Sequence, residues 1–303
     1  MVAINRSQML KELLPGLNEL FGLEYKKYEN EHLEIFEVEN SDRSFEEEVK
    51  LAGFGVAAVK GEGQSIQYDT AQEAYTARYV HETIAMGFAI TEEAMEDNLY
   101  DKLAARYTKA MARSMAYTKQ VKAAAWLNNG FSGSTYLAPT GQNVFDTDHA
   151  LVSGGTQANR PSTAVDLNET ALEAAIVTIA GWKDERGLLI AARPMKLIVP
   201  PALEWTATRL LKSERRVGTA DNDVNALVTN SAIPGGYVIN HFLTDTDAWF
   251  LKTDLGGWKN FIRRPMKTEL SGDFDTGNAR YKASERYSFG ISEYLGMYGS
   301  PGA

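Results

Sequence analysis

The run TEEAMEDNLYDKLAARYTKAMARSMAYTKQVKAAAWLNN, from Thr91 to Asn129, is the strongest helical signal in the chain. Thr91 can cap a helix, and Glu92 and Glu93 place negative charge at the positive end of its dipole. No Pro or Gly follows until Gly130. Met95, Leu99, Leu103, Tyr107, Ala110, Met111, Met115, Thr118, Val121 and Ala125 recur every three or four residues, the spacing of one helix face. At 1.5 Å per residue the run would be roughly 55 Å long, several times the usual three or four turns. Its Met and Tyr residues read as packing surface rather than a ligand box.

Before the helix, residues 46–90 read as a long two-stranded hairpin. Phe45 to Gly55 and Ser65 to Tyr68 flank the polar, glycine-rich tip Lys60-Gly61-Glu62-Gly63-Gln64. The return limb ends in alternation, with Ile84, Met86, Phe88 and Ile90 separated by small residues. An isolated hairpin is marginal in water, so this one is expected to lie on another subunit. Phe54, Val56, Lys60, Ile66 and Tyr68 are the candidate inter-subunit contacts. Residues 1–45 carry Leu13, Leu17, Leu20 and Phe21 at helical spacing. They predict a short amphipathic helix and an extended arm that packs on a neighbour.

After the helix, residues 130–165 form a Gly/Ser/Thr-rich connection containing Phe145-Asp146-Thr147-Asp148-His149. A second helix is predicted from Asn168 to Arg186, stopped by Gly187. Lys196 to Val199 reads as a strand, and Pro200-Pro201 opens a third helix. Residues 236–262 read as short strands and turns, and Arg280 to Tyr298 as strand. Helices and strands are intermingled rather than strictly alternating, an α+β chain of one large domain or two lobes.

Composition narrows the chemistry. The chain has 303 residues, no cysteine and a formal net charge of −9. Disulfides, thiolate metal sites and cysteine nucleophiles are excluded together. A surface that grips nucleic acid through phosphates needs clustered cations. The densest cluster, Lys212 to Arg216, is broken by Glu214 and reads as a solvated helix end. No apolar run is long enough to span a membrane, and Met1 to Leu20 lacks a signal-peptide core. Gly53-Phe-Gly55-Val-Ala-Ala58 spells a dinucleotide fingerprint, but acidic residues precede it where a buried strand is required. His32, His81, His149 and His241 form no paired helical metal motif. Asp146, Asp148 and His149 could meet a divalent ion, although turn chemistry is the commoner use of such a cluster. The expectation is therefore no catalytic, cofactor or metal residue, and the N-x-[ST] sequences at Asn5 and Asn168 carry no weight without a secretory signal.

The order of elements and several stretches together resemble the major capsid proteins of tailed double-stranded DNA bacteriophages, the Hong Kong 97-type shell fold, and within it the Mu-type head subunits. Gly61-Glu-Gly63-Gln-Ser-Ile-Gln-Tyr-Asp69 is similar to the family's hairpin tip, and Ile90 to Tyr100 to the start of its spine helix. Phe145 to His149 resembles the segment leaving the spine. Arg193-Pro-Met-Lys-Leu-Ile-Val-Pro-Pro201 resembles the strand entering the axial lobe, and Phe274 to Gly290 the closing strands.

The resemblance implies an N-arm at 1–45, an E-loop hairpin at 46–90, and a P-domain at 91–165 and 263–303 with its spine helix at about 91–129. The A-domain would be 166–262. It implies a structural head protein, not an enzyme. Copies would assemble in the host bacterial cytoplasm into hexamers and pentamers of an icosahedral shell, the virion capsid, around packaged DNA bound without sequence preference. Implied partners are further copies, a portal, a separate scaffolding protein and, in some systems, a decoration protein; no membrane or cofactor is implied. Some members crosslink a hairpin Lys to a neighbour's Asn. Lys60 and Asn278 are the residues to consider, without a motif fixing either. Shells that expand on maturation do so by rotation of subunit lobes and bending of the spine. The alternatives are an encapsulin-like nanocompartment shell enclosing enzyme cargo, and an elongated dimeric enzyme using Asp146, Asp148 and His149 on a metal.

Overall fold

The computed structural model describes residues 6–91, 93, 100–215, 223–272 and 277–303, with side chains described from 16 in the first helix and from 104 in the long one. The chain opens with helix α1 (Arg6–Lys26), a single turn α2 (His32–Ile35) and strand β1 (Glu37–Asn40). Strands β2 (Phe45–Ala52) and β3 (Gln72–Val80) pair antiparallel, and residues 53–71 between them lie outside regular structure. Strand β4 (Glu82–Ile90) follows, then helix α3 (Tyr100–Asn128). Its 29 residues amount to about 43 Å of rise. The expected cap and first turn, Thr91 to Leu99, fall largely outside the described residues.

The distal half begins with a two-residue pair, β5 (His149–Ala150) and β6 (Thr156–Gln157). Helix α4 (Glu169–Ala180), strand β7 (Pro194–Val199) and helix α5 (Glu204–Lys212) come next, with a 3-10 turn Pro201–Leu203 leading into α5. They are followed by α6 (Ala226–Thr229), β8 (Tyr237–Ile239) and β9 (Trp249–Thr253). The long strands β10 (Trp258–Gly272) and β11 (Ala279–Ile291) and the terminal β12 (Met297–Ser300) close the fold.

Two four-stranded sheets organise the molecule, in the orders β1-β10-β11-β4 and β12-β9-β7-β8. The first packs with α3 and α1 around Leu17, Phe21, Met111, Met115 and Tyr281. The second is covered by α4 and α5 around Leu172, Ile179, Leu197 and Trp249. Ile35, Phe36, Phe145, Phe250 and Trp258 form a cluster that joins the sheets, since Phe250 lies on β9 and Trp258 on β10. Each fully buried Phe or Leu there contributes about 1.5–3 kcal/mol of transfer free energy.

Leu17 and Phe21 of α1 are buried in the same cluster as Met111 and Met115 of α3, so the expected N-terminal helix packs on the long one. Three expectations are corrected. The hairpin ends at Val80; β4, with Ile84 to Ile90, pairs instead with β11 through Tyr287↔Glu82 to Ala279↔Ile90. The second helix stops at Ala180, where the Gly181 N–H donates back to the carbonyls of Val177 and Thr178, and Gly187 (φ 83°) turns a separate loop. Finally, β10 runs ten residues past the expected end at 262, through Pro265.

Candidate functional site

The two strands of the hairpin ribbon treat their side chains differently: β3 buries Ala77 and Tyr79, while β2 leaves apolar residues exposed. Along β2, Phe45, Glu47, Val49 and Leu51 are exposed, while Glu46, Glu48 and Lys50 are partly buried. On β3, Val80 and Arg78 face outward and Tyr79 and Ala77 inward. An antiparallel sheet with one solvated face ordinarily sends its apolar set to the core and its polar set to water. On β2, Glu48 and Lys50 turn toward the protein's own body and are paired there, while Glu47 and Arg78 face outward and pair with each other. Lys50 bonds Glu293, and Lys259 of β10 bonds Glu48 and Glu39. Tyr79 donates to Glu48 at 3.1 Å and packs edge-on against Phe261. Outside, the Arg78 guanidinium covers the Phe45 ring at 4.2 Å.

Beyond the ribbon, residues 53–71 carry the three most exposed large apolar side chains among the described residues, Val59, Tyr68 and Val56. Phe54 is 62% exposed, Val56 82%, Ile66 56% and Tyr68 86%. Lys60 is exposed among them. Val59, at 99%, belongs to the same surface and was not singled out by the sequence reading; nor were Val49 and Leu51.

The loop is closed at its neck. The Asp69 carboxylate accepts from the Gly55 N–H and the Thr70 N–H, each at 2.8 Å, and from Arg186 at 2.9 Å on both oxygens. Those backbone N–H groups first, and Arg186 after them, hold its carboxyl below the usual carboxylate range. Gly63 (φ 76°) turns the tip, where the Gln64 N–H reaches the Gly61 carbonyl. The ribbon's root is pinned by His81, the single residue between β3 and β4. Its Nε2 meets Ser41 Oγ at 2.9 Å and its Nδ1 meets Ser288 Oγ at 3.0 Å. Burial, then the nearby Arg286, holds its imidazole below the usual range. A polar cleft of about 650 Å³ lies beside the root, lined by Glu37, Glu48, Lys50, Gly256, Lys259 and Glu293 among others.

The remaining candidates have local duties. Gly53 to Ala58 lies in the exposed loop and opens no helix. Asp146 accepts from the Thr147 N–H, and the His149 ring bridges Thr140 and Asn159 while stacking on Tyr294. Burial above all lowers the His149 pKa. Lys212 ends α5 with its ammonium over the Tyr237 ring; Arg216 is outside the described residues. Asn278 precedes β11, remote in sequence from Lys60. Among the described residues, no group of three or more His, Asp or Glu is placed to hold a metal ion, and no helix is long and apolar enough to cross a membrane.

The architecture is that of tailed-phage capsids, the Hong Kong 97-type shell fold. The capsid of cyanophage P-SCSP1u superposes with a TM-score of 0.55 at 14% identity, covering 88% of this chain and 85% of that one. The capsid of myovirus XM1 gives 0.54 at 11%, covering 88% and 90%. A virus-like particle from Pyrococcus furiosus gives 0.53 at 10%, covering 95% and 99%. No curated protein matches the sequence. Residues 74–300 match the family model described as "Phage capsid protein", and the chain belongs to that family. It is a capsid shell protein, and the exposed ribbon belongs to a subunit that is built into a virion lattice.

Proposed function

We propose that this chain is the major head subunit of a tailed double-stranded DNA phage, of the Mu type. Copies assemble in the bacterial cytoplasm into hexamers and pentamers that close as an icosahedral shell around packaged DNA. A portal, a separate scaffolding protein and, in some particles, a decoration protein complete the assembly. Residues 1–45 serve as N-arm and the hairpin, now 45–80, as E-loop. The P-domain takes 91–165 and 263–303 with β4 added, and the A-domain takes 166–262. The role is structural, without catalysis.

The apolar side chains exposed on β2 and on the loop 53–71 are the observation that carries this reading. Apolar area of that extent left facing solvent is completed by a second surface. A lattice of identical copies supplies that surface on every subunit, because closed symmetry repeats one contact around the shell. Phe54, Val56, Ile66 and Tyr68 are the anchors, Lys60 lies among them, and the free ribbon edges can add strand pairing. Deleting residues 57–69 tests it by electron microscopy of the overexpressed chain. Soluble capsomers without closed shells are the expected result; closed shells of normal size would refute the hairpin's role. The virus-like particle likeness, which spans nearly all of both chains, keeps an encapsulin-like shell as the second reading. Copurified protein cargo with no phage genome would favour it.

A further inference from the structure

The long helix α3 has two apolar faces, and only one is used. Its buried face, with Ala104, Met111, Ala112 and Met115, packs on α1 and the first sheet. On the opposite side, Tyr107, Ala110, Ser114, Tyr117 and Val121 form a second stripe. Tyr117 is 60% exposed and Tyr107 50%; Ala110 and Val121 are exposed and Ser114 is partly so. Tyr107 rests against Phe88 and Tyr117 against Phe242, so both rings are held from one side while their outer faces stay open. The steps between these residues are three, four, three and four. That is the 3.5-residue period of a coiled-coil seam, the pattern one helix shows to another.

The charge around the seam is one-sided. From residue 102 to residue 145 there is no Asp or Glu, although the chain as a whole carries −9. Arg106 and Arg113 stand seven residues apart, each immediately before a seam position, where a coiled coil carries its flanking charges. Lys109 is exposed between them. None of these three has an ion pair among the described residues. The later cations of the helix do: Lys119 pairs with Glu285 at 3.0 Å and Lys122 with Glu82.

We propose that this face of α3 is a docking seam for an acidic amphipathic helix of an assembly partner. Its apolar stripe would lie on Tyr107, Ala110, Ser114, Tyr117 and Val121, and its flanking carboxylates on Arg106 and Arg113. Two other occupants fit less well. Duplex DNA would use the cations but leave Tyr117, Ala110 and Val121 without a role, since phosphate contacts ask for charge and hydrogen bonds. The ribbon of a second copy presents same-face side chains about every 6.6 Å, whereas the seam repeats about every 10.5 Å, so a strand finds no common register along it. A helix matches it at each repeat. Bound there, opposite α1, it would complete a three-helix layer. The inference concerns the spine face alone and does not depend on the hairpin's role in closing the shell.

The test uses the full-length, unassembled chain and fluorescence anisotropy with three probes. The first is a labelled peptide of about four heptads with Leu at the core positions and Glu at both flanks. The second is its twin with Lys at the flanks, and the third is a random-sequence duplex of about 30 bp. The Glu peptide is expected to bind one per chain and the Lys peptide not. The R106E/R113E variant should weaken the Glu peptide at least about tenfold and reverse the preference in favour of the Lys peptide, a charge swap that general loss of structure cannot produce. Tyr117→Ala should weaken both pairings, and R106Q/R113Q should give an intermediate loss with unchanged circular dichroism. Equal binding of Glu and Lys peptides would overturn the proposal. So would duplex DNA displacing the Glu peptide from the seam. A change in oligomeric state of R106E/R113E with no peptide present would assign the seam to a second copy instead, and would equally overturn it.

Discussion

Strands β2 and β9 each carry large apolar residues and put them to opposite use. In β9, Trp249, Phe250 and Leu251 are all buried, in the middle of the second sheet. In β2, Phe45, Val49 and Leu51 look outward while Glu48 and Lys50 are tied to the body by Lys259 and Glu293. The first arrangement spends apolar area on the subunit's own stability. The second holds it in reserve for a surface the subunit does not have. On the proposed function, folding and assembly are carried by different segments, and substitutions should separate them.

The largest effect on folding is expected at the junction of the two sheets. Phe145 is fully buried against Phe131, Phe250 and Trp258. Phe145→Ala should cost about 3–5 kcal/mol in urea unfolding of the unassembled subunit. Serine at Val56 and Tyr68 together should change that unfolding by less than about 0.5 kcal/mol per site, yet sharply reduce the yield of closed shells. If the hairpin pair unfolded the subunit as Phe145→Ala does, the division of labour would be wrong.

Acid should act on the folded side of the comparison next. Burial above all, with Lys119 nearby, lowers the His32 pKa to about 4. The unfolded chain takes up that proton near 6.5, so stability is intact above 6.5 and falls as pH drops toward 4. The loss from this residue is up to about 3 kcal/mol, with His81 and His149 shifted in the same direction. Urea midpoints of wild type and His32→Gln measured from pH 7 to pH 4 check it: the variant should show a shallower fall, and parallel curves would contradict the assignment.

A smaller effect is expected at Gly296, where an added Cβ would collide with the Gly256 carbonyl and crowd the Trp258 ring. Gly296→Ala should cost about 1–3 kcal/mol by the same unfolding assay, and a neutral result would show that the backbone there can yield. The smallest folding effect belongs to the solvent-facing neck. Asp69→Asn removes the charge that holds Arg186 and the Gly55 N–H, and should speed proteolysis within 55–69 while leaving the unfolding midpoint in place. Unchanged proteolysis would show that the neck does not order the loop.

Much of this arrangement was legible in the sequence, and the parts that were not share a cause. The long helix declared itself through an uninterrupted 3.5–3.6 period, and the tip through Gly61, Gly63 and the polar residues around them. The partner of β4 was hidden, because alternation at Ile84 to Ile90 shows a strand but not that it pairs with residues 279–287, about two hundred positions away. The continuation of β10 was hidden by Pro265, which reads as a break. It is accommodated because the pairing with β11 slips on both sides of Arg264, a bulge that frees the missing N–H. The inward turn of Glu48 and Lys50 on β2 could not be read locally either. Glu48 and Lys50 look like solvent residues until Lys259 and Glu293 are brought beneath them. The candidate contact residues Phe54, Val56, Lys60, Ile66 and Tyr68 all fall in the exposed loop 53–71, but nothing local announced that Val49, Leu51 and Val59 are exposed beside them.

The central claim is that residues 53–71 and the outer face of the ribbon are finished by neighbouring copies. Hydrogen–deuterium exchange with mass spectrometry, run on the unassembled subunit and on closed shells, addresses it most directly. Peptides from 53–71 should exchange within seconds in the free subunit and become strongly protected in shells, while peptides from β9 and β11 stay protected in both. Fast exchange of 53–71 persisting in closed shells, or protection already complete in the free subunit, would contradict the account.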